Sequence, residues 1–76
     1  MTYETLKKVF DEHHKVKFKL YSLEYIIEQL ENEVVIYPTI YANRKYHYKS
    51  FEDVFNNYTV YNENIIYSID RITIIN

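Results

Sequence analysis

Residues 15–20 read Lys15-Val16-Lys17-Phe18-Lys19-Leu20, an unbroken alternation of charged and apolar side chains. Successive side chains on a β-strand point to opposite faces, so this run sends Val16, Phe18 and Leu20 to an interior and three lysines to water. A half-buried strand of this kind needs a partner strand and a covering layer, and the flanking sequence supplies both. Downstream, a turn at Tyr21-Ser22 leads into Glu24-Tyr25-Ile26-Ile27-Glu28-Gln29. Paired as a hairpin, this second strand brings Glu24 and Glu28 across from Lys15, Lys17 and Lys19. A turn at Glu31-Asn32 gives a third strand, Val34-Val35-Ile36-Tyr37, which ends or becomes an edge at Pro38 because proline cannot donate to the ladder. Beyond Tyr41 and a turn at Asn43-Arg44, the run Lys45-Tyr46-His47-Tyr48-Lys49 forms a fourth strand. Tyr46 and Tyr48 share one of its faces, and Lys45, His47 and Lys49 the other.

Upstream, Thr2 to His14 changes period. Leu6, Val9, Phe10 and His13 recur at helical spacing and Tyr3 extends the stripe. Thr2 is the N-cap, Glu4 favours the first turn through the helix dipole, and Glu4–Lys8, Lys7–Asp11 and Lys8–Glu12 pair opposite charges on the outer face. A second helix starts at Ser50, a cap with Asp53 three residues on. It carries Phe51, Val54, Phe55 and Tyr58 on one side and breaks at Asn56-Asn57. In the tail, Ile65, Ile69 and Ile72 fit a helix while Ile72 and Ile74 fit a strand. The expectation is a short helical turn over residues 64–69, then a terminal strand over residues 71–75. The order α-β-β-β-β-α-(α)-β makes the chain one α+β domain over residues 1–76. It consists of a mostly antiparallel four- to five-stranded sheet, with the N-terminal helix and a second short helix packed on one face.

Composition narrows the chemistry. Among 76 residues there is no cysteine, which excludes disulfides and thiolate zinc sites, and a chain this short must gain stability from dense packing or from association. Ten tyrosines and four phenylalanines supply that packing volume and argue against disorder. There is no glycine and one proline, so positive-φ turn positions are expected at Asn32, Asn43, Asn57 or Asn62. The absence of glycine also rules out P-loops, dinucleotide fingerprints and nucleophile elbows. Nine basic against eleven acidic residues give a net charge of -2, which lacks the basic footprint of a general nucleic-acid binder. No unbroken apolar run exceeds four residues and no apolar leader follows a basic start, so a soluble cytoplasmic protein with no membrane contact is expected.

No residue constellation points to catalysis. Ser50 is used as a cap, while Ser22 and Ser68 have no His or Asp at a telling spacing. Asp11 with His14, or His47 alone, has the chemistry of a metal ligand. Yet His13 reads better as the end of the apolar stripe and His14 as a solvated residue, and no metal or other cofactor is expected. Glu24, Glu28, Glu31 and Glu33 cluster four acids within ten residues, but they alternate with apolar residues and read as a solvated strand face rather than an acid–base pair. Tyrosine is the informative residue. Ten phenols exceed what so small an interior encloses with every hydroxyl satisfied, so part of the set belongs on a surface, where tyrosine is enriched at protein interfaces. The expected partner-binding residues are Tyr37, Tyr41, Arg44, Tyr46, Tyr48, Tyr61, Glu24 and Glu28.

In size and AT-rich-type composition, which is rich in Asn, Ile, Lys and Tyr, the chain resembles the small proteins carried by phages and mobile elements of AT-rich bacteria. That resemblance covers the whole chain without a motif. It implies an inhibitor or accessory subunit that blocks a host protein, for example a host-defence nuclease. The reading from the residues is a non-catalytic protein-binding module. Two alternatives stand beside it: a single-stranded nucleic-acid binder using Lys15, Lys17, Lys19, Arg44, Lys45 and Lys49, and a homodimer formed through an edge strand.

Overall fold

A computed structural model describes residues 2–75. Helix α1 (Tyr3–His13) is followed by strands β1 (Lys15–Leu20), β2 (Leu23–Gln29) and β3 (Val34–Pro38), a 3-10 turn (Thr39–Tyr41) and strand β4 (Tyr46–Tyr48). Helix α2 (Phe51–Asn57) then leads to a small hairpin of β5 (Thr59–Val60) and β6 (Glu63–Asn64), a 3-10 helix (Ile65–Arg71) and strand β7 (Ile72–Ile74). The fold is α+β, with a five-stranded antiparallel sheet in the order β4-β3-β2-β1-β7.

The register realises the alternation of residues 15–20. Val16 lies opposite Ile27 and Phe18 opposite Tyr25, while Lys15 faces Glu28 and Lys19 faces Glu24. Lys17 reaches Glu24 diagonally at 3.5 Å. The interior side of the sheet presents Val16, Phe18, Leu20, Tyr25, Ile27, Val34, Ile36 and Ile72, which join Leu6 and Phe10 of α1, Phe51, Val54 and Phe55 of α2, and Ile65 in one contiguous core. Phe51 links the two helices, its ring 4.7 Å from Phe10 and 4.9 Å from Phe55.

Both α-helices pack on the interior side, yet Val35 on the opposite side is only 1% exposed. Its register neighbours are Glu28 and His47, and Lys45 lies over the adjacent Tyr37 ring at 5.1 Å. A lysine such as Lys45 covers apolar surface with its aliphatic stem while its charged head stays in water.

Both expected caps form. The Thr2 hydroxyl accepts from the Thr5 N–H at 3.2 Å, and the Ser50 hydroxyl from the Asp53 N–H at 3.1 Å. Lys7 and Asp11 pair on the outer face of α1 at 2.9 Å. Other expectations need correction. His13 is exposed rather than the end of the buried stripe. The fourth strand is three residues long, because Lys45 and Lys49 lie outside the ladder. The tail is a seven-residue 3-10 helix before the strand. At three residues per turn, Ile65 and Ser68 form one inward column, Ile66 and Ile69 a second, and Tyr67 and Asp70 an exposed third. The positive-φ residues are His14, Tyr21, Tyr61 and Asn62, so of the expected asparagines only Asn62 adopts this conformation.

Tyr3 gives a stability prediction. Its ring packs edge-on against Phe55 at 5.4 Å, while its buried hydroxyl has no hydrogen-bond partner among the described residues. Burial raises its pKa first, with Glu52 adding to the rise. A buried unpaired hydroxyl costs roughly 1–3 kcal/mol in lost hydration. Tyr3→Phe is therefore expected to hold or raise the urea midpoint, and a lower midpoint would show that the hydroxyl has a partner.

Candidate tyrosine-lined site

The site begins with two turns. Leu20 pairs with Leu23, so β1 and β2 are joined by the two residues Tyr21-Ser22, the first at φ 57°. Val60 pairs with Glu63, so β5 and β6 are joined by Tyr61-Asn62, at φ 54° and 64°. Two-residue hairpins favour such left-handed conformations because they match strand twist, and glycine or asparagine usually supplies them. A tyrosine there costs on the order of 1–2 kcal/mol. This glycine-free chain has placed tyrosines at two of these positions, and their rings meet at 5.0 Å. Tyr21 is held further by its hydroxyl. Ser68 Oγ donates to Glu63 Oε1 at 3.2 Å, which leaves the Tyr21 hydroxyl to donate to Ser68 at 3.3 Å. Arg71 lies over the outer side of the same ring, 5.9 Å from its centroid. The two strained turns thus brace each other.

Between them lies a cleft of about 240 Å³, lined by Leu20, Tyr21, Leu23, Tyr25, Tyr58 and Tyr61 among others. A second cleft of about 180 Å³ adjoins it, lined by Tyr46, Tyr48, Asn57, Tyr58 and Thr59. Tyr58 and Thr59 belong to both. Tyr58 caps the C-terminus of α2, where its N–H bonds the Val54 carbonyl, and its own carbonyl takes the Ile65 N–H at 3.0 Å. These bonds fix its backbone, and its ring stands 5.5 Å from Tyr46 and 6.2 Å from Tyr25, at 71° and 77° to them. Burial, then the neighbouring Tyr25, Tyr46 and Tyr48, push the Tyr58 phenol up to about 12. Tyr25 is raised by burial and then by Tyr61, and Tyr48 by burial and then by Tyr46. The result is a band of six tyrosines, Tyr21, Tyr25, Tyr46, Tyr48, Tyr58 and Tyr61, in which burial keeps the Tyr25, Tyr48 and Tyr58 phenols protonated. Its two ends, Tyr46 and Tyr61, are 54% and 75% exposed.

The eight residues singled out from sequence fall in three places. Tyr46, Tyr48 and Tyr61 line the band. Tyr41, the last residue of the 3-10 turn, stacks with Arg44 at 4.4 Å, next in sequence to the exposed Ile40. Tyr37, Glu24 and Glu28 sit on the side of the sheet away from the two α-helices. Tyr37 is buried there, and its pKa is raised by burial, then by the Glu28 carboxylate and its hydrogen bond to it. Sequence reasoning left out Tyr21, Tyr25 and Tyr58. Only the turn position of Tyr21 and the helix-ending position of Tyr58 carried any signal for them.

Lys15, Lys17 and Lys19 on β1 are separated from Lys45 by β2, which carries Glu24 and Glu28. His47 Nδ1 meets Glu33 Oε1 at 2.7 Å beside them. Among the described residues, no three His, Asp or Glu side chains come together as a metal site, and no helix is long and apolar enough to cross a membrane. No protein-family model, curated protein or solved structure matches the chain.

Proposed function

We propose that the chain is a non-catalytic protein-binding module whose contact surface is the tyrosine band, acting as an inhibitor or accessory subunit by covering part of another protein. The observation that carries this reading is the continuity from Tyr46 through Tyr58 and Tyr25 to Tyr61 and Tyr21, with exposed rings at both ends and clefts between. Tyrosine offers large contact area at small entropic cost, and rings lodged in desolvated pockets dominate the energetics of protein interfaces. The backbone strain at Tyr21 and Tyr61 supports the same reading, because strain tends to collect at functional surfaces.

The test is a tagged pull-down from a lysate of the source organism or its host, with and without nuclease. A stoichiometric protein retained after nuclease is expected. Tyr46→Ser and Tyr61→Asn should each weaken its binding by roughly 30-fold or more, the scale of a hot-spot residue. Asparagine suits the left-handed turn position, so Tyr61→Asn removes the ring and its contact with Tyr21 while keeping the backbone conformation of the turn. If both variants bind normally, the interface lies elsewhere. Recovery that depends on nucleic acid would instead favour the lysine-bearing strands.

A further inference from the structure

We infer that the tyrosine band receives an uncharged, proline-rich segment in the polyproline II conformation. This rests on the protein-binding reading above and names the chemistry of the partner.

Three observations converge on it. The residues lining the two clefts include no charged side chain, so a charged segment would lose water there without gaining a counter-charge. Their polar groups are mostly hydroxyls, five of the six phenols among them lying on Tyr25, Tyr46, Tyr48, Tyr58 and Tyr61. Asn57 is tethered to its own helix, one N–H of its Nδ2 donating to the Asp53 carbonyl at 2.9 Å. A phenol can donate as well as accept, and burial keeps the Tyr58 proton in place, while a proline-rich chain is an acceptor in surplus, with carbonyls at every residue and N–H groups missing at each proline. The partial charges match a second time at the rings. Tyrosine faces are electron-rich, and the hydrogens next to the proline nitrogen are electron-poor.

Geometry agrees with chemistry. Tyr58 lines both clefts and stands edge-on to Tyr25 in one and to Tyr46 in the other, so each cleft offers a pair of steeply inclined rings. Volumes of about 240 and 180 Å³ fall below the roughly 300–1,000 Å³ of small-molecule pockets, and suit one or two compact residues each of a chain laid across both. A polyproline II segment is ordered before it binds, which lowers the entropic cost of docking on so small a surface.

The probe is a twelve-residue Ala-Pro-Pro repeat peptide titrated into the isotope-labelled protein and followed by amide shifts and tyrosine emission, with a Gly-Ser peptide of equal length and an oligothymidylate as comparisons. Saturable shifts at Tyr21, Tyr58, Thr59 and Tyr61, with the Gly-Ser peptide silent, are expected. Tyr58→Phe, which keeps the ring, should weaken binding roughly three- to tenfold, and Tyr61→Asn roughly tenfold or more. The inference is overturned if the folded protein shows no saturable change up to about 1 mM peptide, if the Gly-Ser peptide binds equally, or if only the oligonucleotide binds. A protein partner that depends on Tyr46 and Tyr61 while the proline peptide stays silent sinks this inference alone. A partner bound without that dependence places the interface off the band and removes the premise on which this inference rests.

Discussion

Phe55→Ala is expected to remove about 3–5 kcal/mol of folding stability, the usual cost of truncating a fully buried phenylalanine. Phe55 has no exposed surface and touches Phe51 and Tyr3, so it sits where both helices meet the sheet. A domain of this length has roughly 4–11 kcal/mol of stability in total. With a urea dependence of about 1 kcal/mol per molar for so small a protein, the midpoint should fall by about 3 M or more. A fall of less than 1 M would mean that the helices close over the cavity and that the core is more plastic than its packing indicates. Tyr46→Ser, in contrast, removes an exposed ring and should shift the midpoint far less. The contrast separates residues that hold the fold from those available to a partner.

The second large effect is alkaline. Tyr58 ionises near pH 12 in the folded chain, against an ordinary value of 10.0. Below pH 10 both states keep the proton and its contribution to stability is fully present. Between about pH 10 and 12 the unfolded chain releases the proton while the folded chain retains it, so stability falls as pH rises, and the contribution is gone above the folded value. Tyr3, Tyr25, Tyr37 and Tyr48 are shifted in the same direction and add to the fall. Solvent reaching the half-buried Tyr58 ring softens its share. Urea midpoints measured from pH 9 to 12 should therefore decline, and the decline should be shallower in Tyr58→Phe. An identical decline in the variant would show that Tyr58 is hydrated and titrates with the rest.

The parts of this fold that could be read from sequence are those governed by local periodicity and capping. The alternation over residues 15–20, the helical stripe of Leu6 and Phe10, and the caps Thr2 and Ser50 each follow from forces acting within a few residues, and each forms. The hairpin at Tyr61-Asn62 was missed because its strands are two residues long, too short for any period to register. The positive φ of Tyr21 and Tyr61 is invisible for a different reason. No local preference puts a tyrosine there, whereas His14 ends a helix, where a left-handed residue is common, and at Tyr21 the compensation comes from Ser68, Arg71 and Tyr61, all remote in sequence. The same holds for the band. That tyrosines mattered could be seen in their number. Which of them meet depends on sheet order and on the angle at which α2 ends, and so Tyr25 and Tyr58 were left out of the expected set, while Tyr37 was placed in it from the far face.

The position of β7 also bears on how the chain behaves before it is complete. Strand β1, whose pattern organises the whole sheet, is flanked by β2 on one side and by β7 on the other, and β7 is the last strand along the sequence. While the protein is being made, or whenever β7 detaches, the Lys17–Leu20 stretch shows an unpaired edge to any neighbouring chain. The lysines at every second position then act as gatekeepers, since stacking this edge on a copy of itself in parallel register would align like charges. The alternation that specifies the folded sheet thus also protects the unfinished one.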